Sequence, residues 1–176
     1  MTGHPADLPA EGTGELRMRP PQHRVSPRAV WYWTVRAACG WLLLVAAQVL
    51  WALLAQDGQA RWHLLGLLAS LVVAAAHLVV MPQWRFRVHR WEATPHAVYT
   101  QAGWFDQQRR IAPISRIQTV DTERGPFEQI FGLSNVTVTT ASAAGPLSIV
   151  GLDRKTAQRL VDDLASAAEQ TRGDAT

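Results

Sequence analysis

The chain has 176 residues, 48% apolar and 18% charged, and its net charge of +3 is carried almost wholly by arginine. That length permits one domain with its own core, but residues 37–55 and 62–82 contain no charged side chain, which excludes a plain soluble globule. A single cysteine, Cys39, excludes an intrachain disulfide framework and a cysteine-based zinc site.

Residues 1–28 combine Pro, Gly and charges without an apolar period. Such a segment cannot bury enough surface to offset the entropy of ordering, so a disordered tail is predicted, with Arg24 and Arg28 against anionic headgroups. The two uncharged stretches follow. At about 1.5 Å per residue each is long enough, as a helix, to cross the ~30 Å hydrocarbon layer. Trp31, Tyr32 and Trp33 precede the first stretch and Trp51 lies near its end, while Trp62 and Trp84 bracket the second. These rings match the aromatic belts of a double crossing. The connection QDGQAR, residues 56–61, carries a turn signal at Asp57 and Gly58 and is short enough to force an antiparallel helical hairpin over residues 29–83. Arg17, Arg19, Arg24, Arg28 and Arg36 flank one end and Arg85, Arg87 and Arg90 the other, whereas the loop holds Arg61 offset by Asp57. Cationic flanks stay inside, so both termini are expected in the cytoplasm.

Gly66, Ser70 and Ala74 recur every four residues on the second span, a small-residue stripe for helix–helix packing. It serves the hairpin itself, against Ala38, Ala46 and Ala47, or a homo-oligomer. Gln48 and His77 are expected to find polar partners within the bilayer. No intramembrane Asp or Glu is present to complete a proton path through His77.

Beyond Pro82 the period changes. Trp84, Phe86 and Val88 alternate with Arg85, Arg87 and His89, which predicts a strand leaving the membrane. Residues 96–100 and 104–111 read as a hairpin turning at Gln101, Ala102 and Gly103. The three-residue spacing of Ile114, Ile117 and Val120 predicts a turn at Ser115 and Arg116. GPFEQIFG, residues 125–132, reads as one helical turn with Pro126 at its start and Gly132 at its stop. Residues 135–140 and 147–150 give two more strands across Ala144, Gly145 and Pro146. A closing helix capped by Asp153 shows one apolar face, Ala157, Leu160, Val161, Leu164 and Ala168. The fold expected is an α-helical transmembrane hairpin plus a mainly-β barrel or sandwich over residues 84–170, capped by a C-terminal α-helix, with 171–176 as a disordered end.

The segments IAPISRIQTV (residues 111–120), GPFEQIFGL (125–133) and IVGL (149–152) resemble the bacterial PH-like domain of YdbS-type membrane proteins. Two preceding spans in a short chain are likewise typical of that group, and the similarity runs over residues 29–170. The resemblance implies a seven-stranded PH-like barrel capped by a helix and tethered to the bacterial cytoplasmic membrane. It implies no catalytic activity.

No residue spacing suggests chemistry. There is no HExxH, no paired His/Cys ligand set and no phosphate-binding loop, so no cofactor and no metal is expected. His89, His96 and Asp106 read as exposed strand residues, and Asp121 with Glu123 as a solvated face. From Glu92 onward ten acidic residues outnumber eight basic ones, which argues against nucleic acid. Recognition at the bilayer remains. One reading presents the domain, through an exposed strand edge, to an unknown membrane or cytoplasmic protein. In it Arg85, Arg87 and Arg90 lie against anionic lipid, and Arg109, Arg110 and Arg116 form a second basic surface; plain solvated charge is the simpler account of both triplets. The alternative reading gives an anionic lipid headgroup a defined pocket.

Overall fold

A computed structural model of the chain describes residues 21–55, 58–103, 107–142 and 145–173. The expected tail over residues 1–20, Asp57 of the membrane loop, the start of the second predicted strand at 104–106, Ala144, and residues 174–176 lie outside them.

Two long helices, α1 (Arg28–Leu54) and α2 (Ala60–Val88), form the hairpin. Gly58 turns the connection with φ +67°. Both helices overrun the uncharged stretches on the same side, so about two turns of each extend past them as a stalk. The strand expected at Trp84, Phe86 and Val88 is therefore helix. Pro82 lies inside α2 without ending it, and the His89 N–H still reaches the Arg85 carbonyl at the C-cap. The period-two alternation there misleads because six residues make fewer than two helical turns, and the domain covers one broad side of them: Pro82, Val88 and His89 are buried while Gln83 and Arg87 are exposed. Phe86 is packed and Val88 is buried, while Trp84 on another side stays exposed.

The domain is a sandwich of two antiparallel sheets, and it is not closed into a barrel. One sheet has the order β1 (His23–Arg24), β2 (Arg90–Ala93), β3 (Ala97–Gly103), β4 (Gln107–Pro113); the other has β5 (Ile117–Glu123), β6 (Leu133–Thr140), β7 (Leu147–Asp153). Six strands follow the hairpin. The seventh, β1, comes from before it: His23 pairs with Trp91 and Arg24 with Arg90. Residues 21–28 are thus part of the fold, where a disordered tail was expected. Val25 is buried and the Ser26 N–H donates to the Gly151 carbonyl at 2.9 Å. A short segment with little apolar surface of its own is held because the sheet edge supplies partners that are absent from its local sequence.

The expected hairpin after Pro95 exists, but Gln101, Ala102 and Gly103 are strand, with Gly103 opposite Gln107. Gly103 has φ +130°, a conformation that favours glycine, at the end of β3. The turn expected at Ser115 and Arg116 is a 3-10 turn, Ile114–Arg116, which carries the chain from one sheet to the other. Pro126–Phe131 forms α3, ended by Gly132 at φ +66°. The closing helix α4 (Arg154–Gly173) starts with the Lys155 N–H donating to Asp153 Oδ1 at 3.1 Å. Ala157, Leu160 and Leu164 of α4 enter the core with Val98, Ile114, Val136, Val138, Ile149 and Leu152, and Val161 and Ala168 pack at its border.

Candidate functional site at the membrane junction

Cross-helix contacts set the levels of the hairpin. Gln48 Nε2 donates to Ser70 Oγ at 2.8 Å, Trp41 Nε1 donates to His77 Nδ1 at 3.0 Å, and the Arg85 guanidinium lies 4.5 Å from the Trp33 ring centroid. In this register Ala37 lies at the level of Met81, where both uncharged stretches end. Of the small-residue stripe, Ala74 is buried and Ser70 takes the Gln48 bond, whereas Gly66 has no side chain near it. Gly66 instead borders an open groove with Gln48, Trp51 and Trp62.

Below that level the stalk is built into the domain. Ala29, Tyr32 and Trp33 are buried with Val25 and Leu133. Tyr32 and Trp33 are thus core residues of the junction, and Trp31 alone of that trio stays exposed. A chain of polar contacts locks α1: Arg36 Nη1 donates to Tyr32 Oη at 3.1 Å and Tyr32 Oη donates to Glu128 Oε1 at 2.8 Å. The same carboxylate oxygen accepts from Asn135 Nδ2 at 3.4 Å, while Asn135 Oδ1 accepts the Gly151 N–H at 2.9 Å. Burial alone would raise the Glu128 pKa; the hydrogen bonds from Tyr32 and Asn135, with Arg36 nearby, outweigh it and hold the carboxyl below its usual range. Gly151 has φ +82°, and a Cβ placed on it would stand 2.9 Å from the Ala29 Cβ. Only glycine lets β7 come this close to α1.

On the α2 side a pocket of about 420 Å³ opens between the stalk and the ends of β3, β4 and β7. Met81, Arg85 and His89, one turn apart on α2 and its C-cap, form one wall; Thr100, Gln108, Arg110 and Ser148 lie across from them. No acidic side chain lines it among the described residues. Arg110 Nη1 is held by the Pro146 carbonyl at 2.9 Å. Arg85 is held over the Trp33 face, an attraction that orients its charge. His89 is buried, its Nδ1 2.9 Å from the Arg85 carbonyl; a carbonyl only accepts, so Nδ1 carries the proton. Burial, together with the Arg85 charge, lowers its pKa to about 4. The imidazole is therefore neutral at physiological pH, and the pocket's charge rests on the two guanidiniums.

The two arginine triplets are thus redistributed. Arg85 from the first and Arg110 from the second share the pocket. Arg87 is exposed on the stalk, Arg90 is tied into β2, Arg109 alternates to the other face of β4, and Arg116 is exposed in the 3-10 turn. His89, expected as an exposed strand residue, is the buried C-cap of α2, whereas His96 is exposed in the turn before β3, and Asp106 lies outside the described residues. Asp121 and Glu123 are exposed on β5. Of the junction residues, Tyr32 reads in the sequence as part of an aromatic belt, Glu128 and Gly151 fall within the segments that resemble the family, and Asn135 carries no signal for this role. Their partners stand 96 and 16 residues apart in the chain.

The family model for the bacterial PH domain matches residues 34–168. A curated relative, the UPF0699 transmembrane protein YdbS of Bacillus subtilis (strain 168), is 30% identical over 161 residues, covering 88% of this chain and 97% of the relative. No solved structure matches the chain significantly. Two apolar helices long enough to cross a bilayer, a seven-stranded sandwich and a capping helix agree with both comparisons, and the chain belongs to the bacterial PH domain family.

Proposed function

We propose that this membrane protein is non-enzymatic, holds its PH-like domain against the cytoplasmic face of the bacterial membrane with both termini inside, and takes the phosphate of an anionic lipid headgroup in the junction pocket. The observation that carries this reading is the position of Arg85 and Arg110 in one pocket that no acidic side chain lines among the described residues. Arg85 lies one turn below Met81, hence about 6 Å outside the hydrocarbon boundary, within the headgroup layer. Guanidiniums suit phosphate because their N–H groups meet its oxygens in pairs. Thr100, Gln108 and Ser148 supply neutral hydrogen-bonding groups around them.

The test uses the full chain in mild detergent, titrated with phosphatidylglycerol, phosphatidylcholine or inorganic phosphate and read by native mass spectrometry. Retention of phosphatidylglycerol over phosphatidylcholine is expected. Arg85→Gln and Arg110→Gln should each weaken it about tenfold, the ~1.4 kcal/mol scale of one charge-assisted hydrogen bond. Equal binding by wild type and both variants refutes the pocket, and inorganic phosphate binding as well as the lipid assigns the site to a soluble anion.

A second reading, recognition of a protein segment, is favoured by one feature. β5 pairs on one side with β6, and its open side borders a groove against α4 lined by Gln118, Thr119, Val161 and Ala165. A strand added there would bond to the free backbone of β5. Crosslinking from Gln118 in native membranes to a discrete protein, unaffected by the two arginine substitutions, would favour this reading over the lipid pocket.

A further inference from the structure

Among the described residues outside α1 and α2, two large apolar side chains are exposed, Phe127 at 42% and Ile130 at 77%. Both belong to α3, three residues apart and so on one face of it. The other face is committed to the stalk. Phe131 meets Tyr32 edge-on with ring centroids 6.3 Å apart, and Glu128 takes the Tyr32 hydroxyl. These contacts fix the height of α3. Tyr32 lies five residues below Ala37, about 7.5 Å at the helical rise, and the headgroup layer is about 5–8 Å deep. The end of α3 at Gly132 lies by Arg28, whose Nη1 is 3.2 Å from the place a Gly132 Cβ would occupy, whereas Glu128 approaches the Arg36 side. The α3 helix therefore runs along α1 with its N-terminal end, at Phe127, nearer the hydrocarbon than its Gly132 end, and its apolar face is turned away from the protein.

We infer that α3 is an interfacial wedge. Phe127 and Ile130 enter the boundary between headgroups and acyl chains of the leaflet that the stalk leaves, continuing the lipid-facing surface of α1 sideways onto the domain. The α1 stalk alone would leave the sandwich free to tilt about one axis. A second apolar contact beside it, with the Arg85 pocket on the α2 side of the stalk, sets the domain's orientation on the membrane. Six residues are too few for a free amphipathic helix, and the Tyr32–Glu128 bond holds this one in place. The wedge stands independently of the proposed lipid pocket.

The test places the full chain, with Cys39→Ala, in phosphatidylglycerol–phosphatidylcholine vesicles. Phe127→Cys, Ile130→Cys and Asp163→Cys are each labelled with an environment-sensitive NBD fluorophore. Asp163 is exposed on α4 and serves as the water-facing reference. Blue-shifted emission at 127 and 130, quenched by nitroxide lipids labelled high on the acyl chain and shielded from aqueous iodide, is the expected result, with the reverse at 163. Two results overturn the inference. One is iodide quenching at 127 and 130 equal to that at 163. The other is shielding that appears only as the protein-to-lipid ratio rises, which would assign the face to a second copy. Repeating the measurement with Arg110→Gln separates the wedge from the pocket, since the fluorophore signal is expected to stay unchanged.

Discussion

In the hairpin, large apolar side chains point outward: Leu53 is 77% exposed and Val72 70%. In the sandwich Val98, Val136 and Val138 are sealed from solvent. The two regions bury apolar surface against different media. Lipid tails are as apolar as leucine, so the two helices gain nothing hydrophobic by meeting each other. They are paired by a short connection, close packing at Ala74, and the Gln48–Ser70 and Trp41–His77 hydrogen bonds. The sandwich is held by the area it removes from water. The stalk is where the two regimes meet, and it takes a domain core on one side with polar locks at its edge.

The largest test of that contrast is Leu133→Ala. Leu133 is fully buried at the junction, and its truncation should destabilise the domain by about 2–5 kcal/mol, whereas Leu53→Ala on the lipid face should change its melting by less than ~0.5 kcal/mol. Thermal unfolding of both full-length variants in nanodiscs reads the difference, and equal losses would break the comparison.

A smaller effect comes from pH. His89 has a pKa of about 4 in the folded protein against 6.5 as its reference value. Between those values the unfolded chain binds a proton that the folded chain refuses, so the contribution of the neutral His89 declines as pH falls from about 6.5 and is gone below about 4, with a ceiling of about 3 kcal/mol. Glu128, whose pKa is lowered, adds its own loss at more acid pH, as the folded carboxylate is protonated. Melting temperatures measured across this range should fall with acid for the wild type, and His89→Gln should flatten the upper limb. A wild-type curve with no slope there would show that the junction does not exclude water from the imidazole.

The smallest effect is expected inside the bilayer. Gln48→Leu removes the bond to Ser70 and should cost about 0.6 kcal/mol in a titration with denaturing detergent, because a separated helix in lipid finds other partners for its polar groups. A loss several times larger would mean that this bond, and not the connection and the domain, holds the hairpin together.

Some of the site was legible before any tertiary contact was known. Arg85 and Arg110 were both singled out, yet in separate triplets, because charge clustering along a chain reports neighbours in sequence and not faces of a fold. One turn of helix joins Arg85 to His89, and strand alternation parts Arg110 from Arg109; neither rule says which strand end meets which helix. At Trp84, Phe86 and Val88 a period of two points to a strand where the chain is helical, because fewer than two turns give too short a run for the helical period to show.

By itself the amino-acid order determined the two apolar helices, the turn at Ser115 and Arg116, α3 with its glycine stop and the apolar face of α4. Each of these rests on residues within one or two turns of each other and on their local preference for lipid, core or turn. Only the tertiary structure decided that residues before the hairpin supply β1, that Tyr32 and Trp33 are domain core, that Gly151 admits Ala29, and that two distant arginines share one pocket. Those outcomes depend on surfaces brought together across most of the chain, where close packing and the pairing of buried polar groups, absent from any short stretch, select the arrangement.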